Sequence, residues 1–194
     1  FDHDNRYFAS AKHQGIPKAG YTKIVENMLN SDNIEVRLNT SFKDIESEIK
    51  GVKVIYTGPI DELLNYELGI LPYRSLRFEA EWTDQDLRYA VVNEADKDAP
   101  YTRTHDYKYY QIHQPAVLAS KKSYICKEYP ADYEVGKEAY YPVNNTESEA
   151  LYQKYLDLLK ERYPNIILGG RLGAYRYWDM DVAIKNALEL AATL

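Results

Sequence analysis

The sequence predicts a mixed α/β (α+β) fold in which two α/β segments flank an antiparallel sheet, and three observations carry that reading. Strand-like apolar runs at 52–57 and 165–170 each lead through glycine into a short helical pattern. Between them, residues 73–129 form long alternating or aromatic segments with few helix signals. The balance of 45% hydrophobic and 28% charged residues among 194 is that of an ordinary globular domain.

Each element follows from local pattern. The first twenty residues are polar, aromatic and rich in breakers, and read as a loop or the tail of an earlier element. From Thr22, a plausible N-cap, the spacing of Ile24, Val25, Met28 and Leu29 predicts a helix ending near Asn30. Ile34, Val36 and Leu38 alternate with polar neighbours and predict a short strand. A polar stretch leads to the β-branched run 52–57, which stops at Gly58-Pro59 before a short helix at Asp61. The segments 74–82, 88–94, 101–110 and 117–129 read as strands, and the short breaks between them favour pairing of sequence neighbours. Thr146 and Glu149 make a capping box for a helix carrying Leu151, Tyr155, Leu158 and Leu159 that stops before Pro164. The run 165–170 is a buried-strand pattern, and a last helix spans about Asp181 to Ala192. Boundaries fall at 1–31, 32–70, 71–145 and 146–194.

Composition excludes several roles. Thirty acidic against 24 basic residues give a net charge of -6, unsuited to general binding of nucleic acid or anionic membrane. No apolar run approaches the ~18–20 residues that span a bilayer. The lone Cys126 forms no intrachain disulfide, fits a reducing, cytoplasmic setting and reads as a small core residue. The four histidines lack metal-ligand spacing, so no metal is expected. Tyrosine is the unusual feature, at 20 residues. The start at Phe1, in mid-pattern, reads as a piece of a longer protein.

Three segments could carry chemistry. In 169–181, Gly169, Gly170 and Gly173 permit close backbone approach, Arg171 adds a fixed charge, and Asp179 or Asp181 can cap the last helix. Tyr175, Tyr177 and Trp178 add hydroxyls and flat faces; the alternative is a tight strand-to-helix connection with core aromatics. Tyr140 and Tyr141 before Pro142 offer two phenols on extended backbone, or an aromatic edge that simply packs. In 99–110, Tyr101, Arg103 and His105 share one strand face, suited to phosphate or carboxylate, or to a solvent-facing salt bridge.

These segments, in order, resemble the C-terminal half of the UDP-galactopyranose mutase family: QGIPKAGYTK (14–23), VIYTGPIDELLNYELG (54–69), YRSLRFE (73–79), AVVN (90–93), PYTR (100–103), KEYP (127–130), YYPVN (140–144) and LGGRLGAYRYWDMD (168–181). The resemblance implies part of a Rossmann-like FAD-binding fold with an inserted sheet that binds substrate. It implies an isomerase that interconverts UDP-galactopyranose and UDP-galactofuranose for bacterial surface polysaccharide, through a covalent adduct between N5 of reduced FAD and galactose. By the same resemblance Arg103 neutralises the UDP diphosphate, Tyr141 and Tyr177 contact it, and Asp179 sits at the sugar–flavin junction; Arg103 and Asp179 are the catalytic pair. Asn93 and Glu128 line the pocket and Tyr21 lies near the uracil. Gly170, Arg171, Gly173, Asp179 and Met180 meet the cofactor.

The family's G-x-G-x-x-G fingerprint does not occur in these residues, Lys12 stands where its lid carries an arginine, and Asp106-Tyr107-Lys108 stands where Glu-His-Lys is frequent. The chain alone is therefore expected to be incomplete and inactive, with catalysis in a full-length parent compatible with a homodimer. Two other readings are a related flavin oxidase, which has no need of Arg103 and the tyrosine pairs, and a non-catalytic nucleotide-sugar or glycan-binding module, which would bind UDP or a sugar without flavin.

Overall fold

The computed structural model describes residues 11–194, so the loop reading of the first ten residues lies outside the described part. The fold is mixed α and β, with one parallel two-stranded sheet and one five-stranded antiparallel sheet. Strands β1 (Val54–Tyr56) and β7 (Ile166–Leu168) pair in parallel, with Ile55 opposite Ile167. The larger sheet has the order β3-β4-β5-β2-β6, from β2 (Tyr73–Thr83), β3 (Val91–Asn93), β4 (Arg103–Asp106), β5 (Ser123–Asp132) and β6 (Tyr141–Pro142). Sequence neighbours β2 and β3 do not pair, contrary to expectation. The two longest strands, β2 and β5, lie side by side instead, which satisfies the most backbone donors and acceptors in one ladder.

The chain divides into two compact units. One takes the described residues up to Leu38 with Ala80–Asn93 and Thr104–Cys126; the other takes Asn39–Glu79, Glu94–Arg103 and Lys127–Leu194.

In the first unit, helix α1 (Tyr21–Leu29) begins one residue before the expected cap, with Gly20 at the N-cap and no side chain capping it. Its apolar residues Ile24, Val25, Met28 and Leu29 are exposed. The expected strand over 34–38 does not form: alternation makes a strand only where a partner accepts its ladder, and Ile34, Val36 and Leu38 are all exposed. The long strand expected over 101–110 is cut at Asp106, whose carboxylate accepts from the Lys108 N–H at 3.1 Å and turns the chain into a 3-10 turn, Tyr107–Gln111. Pro115, read as the end of a break, opens the short helix α4 (Pro115–Leu118), which takes the first two residues of the strand expected over 117–129. Lys108 is buried, with its ammonium 3.2 Å from Asp86. Cys126 is buried.

The second unit holds the hydrophobic core, and four of its ten buried members are tyrosines: Tyr73, Tyr152, Tyr155 and Tyr175. Each phenol finds an oxygen. Tyr155 donates to the Gly69 carbonyl at 2.5 Å, Tyr152 to Gly173 at 2.9 Å, Tyr175 to Pro72 at 2.8 Å, and Tyr73 reaches Asp61 at 3.4 Å. Asp61, in helix α3 (Ile60–Leu63), is fully buried and accepts from the Leu71 N–H at 2.9 Å. Short helix α2 (Phe42–Ile45), unmarked in the sequence reading, starts at a Ser41–Asp44 capping box. Helix α5 (Thr146–Arg162) packs Tyr152, Tyr155 and Leu159 into this core. Its capping box is Asn145 with Ser148, one residue earlier than the Thr146–Glu149 box expected, since Asn caps at least as well as Thr. After β7 come α6 (Gly170–Gly173) and α7 (Met180–Ala191). None of α7's residues is buried, and Met180, Ile184 and Leu188 are more than half exposed.

Candidate functional site

The candidate site lies in the second unit, where three peptide segments bring two phenols and a guanidinium together. Tyr141 is placed by β6, whose register sets it opposite Arg74 of β2. Tyr177 follows the turn after α6. Their rings lie 5.0 Å apart at 33°. The Arg171 guanidinium sits 5.2 Å from the centroid of each ring, a cation held over two aromatic faces.

Arg171 is fixed by backbone carbonyls. Nε donates to the Trp178 carbonyl at 2.7 Å, Nη2 donates to the same oxygen, and Nη1 donates to Tyr140 at 3.3 Å. One side chain thus ties the α6–α7 connection to the entry of β6. Tyr152 supports the same turn by donating to the Gly173 carbonyl at 2.9 Å. Arg176 pairs with Glu149 at 2.7 Å, joining the connection to the first turn of α5.

The glycines here answer to packing. A Cβ on Gly173 would stand 2.8 Å from the Tyr56 carbonyl, closer than side-chain carbons come to backbone oxygen. Gly170 has φ +67, and a Cβ there would meet Thr57 at 3.3 Å. Both positions bring α6 tightly onto the end of β1. Tyr175, read among the ring-binding aromatics, is fully buried in the core, whereas Tyr177 is 60% exposed. Asp179 occupies the N-cap position of α7 with no side-chain cap hydrogen bond, and Asp179 and Met180 are exposed.

Arg103, at the start of β4, lies 3.6 Å from Glu128 of β5. The Thr102 N–H donates to the Glu128 carbonyl at 2.9 Å, which fixes the register. Tyr101 and Tyr129 pack edge to face alongside at 5.9 Å. These charges reach the tyrosine pair. The Tyr141 phenol is raised above its ordinary pKa chiefly by burial, then by Tyr177 and Glu128, against the opposing pull of Arg171 and Arg103. It therefore stays a protonated donor at neutral pH.

Tyr141, Tyr177, Arg171, Arg103 and Glu128 thus form one electrostatic neighbourhood, with Gly170, Gly173, Asp179 and Met180 along the adjoining connection. Tyr21, half exposed at the start of α1, and Asn93, at the end of β3, belong to the first unit. A cleft of about 370 Å³ opens on Tyr140 and Arg171 beside Pro59, Glu62 and Tyr133. The sequence reading missed Asp61, the buried carboxylate beneath this region. Its signal was an acidic residue in the first turn after Gly-Pro, flanked by residues that are all apolar except Glu62. Among the described residues no cluster of His, Cys, Asp and Glu could hold a metal ion, and no helix is long and apolar enough to cross a membrane.

A family model described as UDP-galactopyranose mutase matches residues 1–177. The chain is 38% identical over 195 residues to a probable UDP-galactopyranose mutase of Klebsiella pneumoniae, covering 98% of this chain and 48% of that protein. It is 38% identical over 199 residues to a dTDP-fucopyranose mutase of Escherichia coli, covering 98% and 51%. It is 36% identical over 208 residues to a UDP-galactopyranose mutase of Mycoplasma pneumoniae, covering 98% and 50%. The chain spans about half the length of the curated relatives it matches.

Proposed function

The chain belongs to the UDP-galactopyranose mutase family, and on that premise we propose that it supplies the diphosphate-binding side of an enzyme that interconverts UDP-galactopyranose and UDP-galactofuranose. The observation that carries this reading is the convergence of Tyr141, Tyr177 and Arg171, with the charges of Arg103 and Glu128 acting on the same phenol. Arg103 gives the diphosphate a cation, and the phenols donate hydrogen bonds without adding charge. As the bond from sugar to diphosphate breaks, the negative charge that develops on the diphosphate is met by these three groups. Product still leaves, because only one of the three carries formal charge.

The cofactor of this reading is FAD, active in its reduced form. Arg171 and the N-terminus of the 12-residue α7, uncapped by the Asp179 side chain, fit the electron-rich side of a flavin ring. Gly170, Gly173 and Met180 would lie beside it, although the glycines are already accounted for by their approach to β1. A reduced flavin, when bound, supplies the nucleophile toward the anomeric carbon. Asp179 stands at the same end of α7 and would face the sugar; Tyr21 and Asn93 are the candidates for the nucleoside end. The setting is the bacterial cytoplasm, where nucleotide sugars feed polysaccharide synthesis.

A second substrate reading has its own support, since the dTDP-fucopyranose mutase is as similar as the Klebsiella relative. Arg103, Tyr141 and Tyr177 address the diphosphate common to both sugars, not the base or the sugar's sixth carbon.

Titration of UDP and UMP into the chain, read by tryptophan and tyrosine fluorescence, tests the assignment. We expect UDP to be preferred, and Arg103→Ala to weaken UDP at least ~tenfold while changing UMP little. Equal affinity for UDP and UMP, or unaltered UDP binding by Arg103→Ala, would overturn it.

A further inference from the structure

Tyr141 and Tyr177 reach their common place by different means. Strand β6 holds Tyr141: the N–H groups of Tyr140 and Val143 donate to the carbonyls of Arg74 and Pro72, both at 3.0 Å. Residues 177 and 178 belong to no strand or helix. Among the described residues, the hydrogen bonds to these two come from Arg171 alone, whose Nε and Nη2 donate to the Trp178 carbonyl. Nη1 of the same guanidinium donates at 3.3 Å to the carbonyl of Tyr140, next to Tyr141. One planar group thus grips the chain beside each tyrosine, and it lies 5.2 Å from both ring centroids, within cation–π reach. Neither phenol is hydrogen-bonded to another described residue, so nothing holds the two rings through their oxygens.

We propose that Arg171 is a positioning residue for the diphosphate: it anchors residues 177–178 against β6, and so fixes the spacing at which the Tyr141 and Tyr177 hydroxyls meet one ligand. The proposal rests on the reading of these two phenols as diphosphate donors, and it is separate from any contact of Arg171 with the cofactor. A monophosphate can be met by one phenol. A diphosphate gains from the second only where the pair is set in advance, because ordering a loose loop on binding costs affinity. Arg171 therefore governs the preference for a nucleoside diphosphate over a monophosphate. It does so by geometry and not by its charge, since its donors are spent on backbone carbonyls. Lysine would keep the charge, but a single ammonium has no planar fork to hold two carbonyls while lying over two rings.

The test is calorimetric titration of UDP and UMP into this chain and its variants, with circular dichroism and thermal unfolding recorded for each. Arg171→Lys and Arg171→Gln should both bind UDP about tenfold more weakly and UMP within about twofold of the unaltered chain. Tyr177→Phe, which costs UDP roughly three- to tenfold in the unaltered chain, should cost less than about twofold in Arg171→Lys. Arg103→Ala should weaken UDP as much in Arg171→Lys as in the unaltered chain, whereas general damage to the site would erase both effects. UDP binding restored by Arg171→Lys, or a Tyr177→Phe cost that persists in that background, overturns the positioning role. Should neither Arg171 variant fold, hydrogen exchange of the Arg171 Nε–H in the unaltered chain decides the matter. Slow exchange with and without UDP supports the anchor, and exchange as fast as that of an exposed arginine overturns it. If Tyr141→Phe and Tyr177→Phe leave UDP binding of the unaltered chain as it was, or that chain binds no UDP, the diphosphate reading itself fails, and the role of Arg171 with it.

Discussion

Two sets of tyrosines in the second unit use one side chain for opposite ends. Tyr73, Tyr152, Tyr155 and Tyr175 are almost fully buried, and their hydroxyls are spent on carbonyls or on Asp61. Tyr177 is exposed and Tyr141 only partly covered, and the two rings face each other and a guanidinium. Burial drives the first set's phenols upward, to about 12 at Tyr152, and by desolvation and the Asp61 charge at Tyr73. The difference teaches that a hydroxyl already bonded to the chain builds the fold, and one facing cations remains available to a ligand. Composition alone, with its 20 tyrosines, does not separate them.

The largest expected effect is at Asp61, which holds the buried set together. Asp61→Ala strands the Leu71 N–H and the Tyr73 hydroxyl in a dry environment, and should cost about 3 kcal/mol in urea unfolding. A loss under about 1 kcal/mol would mean that water replaces the carboxylate, and the buried set would not be dry.

Next in size is Tyr175→Phe. The ring keeps its contacts with Tyr73 at 5.4 Å and Tyr152 at 5.3 Å, but the hydroxyl's bonds to Pro72 and Val143 are lost. The expected cost is about 1–2 kcal/mol, with UDP binding unchanged in the folded protein. A variant as stable as the original would blur the contrast between the two sets.

A smaller, pH-dependent effect belongs to Asp61 itself. Burial raises its carboxyl above the ordinary 3.8, against the lowering pull of Leu71 N–H and Tyr73. A raised folded value means that the folded state holds the proton more firmly than the unfolded chain does. The stability this contributes is complete below about 3.8 and is lost as pH rises through the folded value. Asp61→Asn does not titrate. Relative to that variant, the unaltered chain should gain stability as the pH is lowered from 7 toward 4, read as urea midpoints. A constant difference across that range would place the charge of Asp61 in a wetter setting.

What was legible in the sequence follows the same division. Helix α5 and strands β1, β2 and β7 were readable because apolar spacing and Gly-Pro or glycine stops act locally. The 34–38 strand failed because alternation specifies a face but not a partner. The turn at Asp106 was hidden by an aromatic run that favours strand, though an Asp two residues before a donor N–H was present, and the break ending at Pro115 was read as a turn although a Pro suits a first helical position. The candidate site residues Arg103, Tyr141, Arg171 and Tyr177 stood out by residue type, each beside a plain packing or salt-bridge alternative, and the motifs alone favoured the functional reading. Their meeting depends on β6 pairing with β2 and on Arg171 reaching Trp178 and Tyr140, which no local pattern encodes. Asp61 was invisible as a core residue because charge normally argues for exposure.

The smallest stability effect, and the sharpest use of the comparison, comes from making in the open pair the same change as in the core. Tyr177 is 60% exposed, and its ring contacts with Tyr141 and Arg171 survive loss of the hydroxyl. Tyr177→Phe should therefore shift the unfolding midpoint by no more than about 0.5 kcal/mol. Its effect should appear in binding, as a roughly three- to tenfold weaker affinity for UDP from one lost hydrogen bond to the diphosphate, with UMP little affected. Tyr141→Phe should behave likewise, with a slightly larger stability cost because its ring is more covered. If both variants bind UDP as well as the original, the open pair is packing after all. The diphosphate would then have to be held by Arg103 alone.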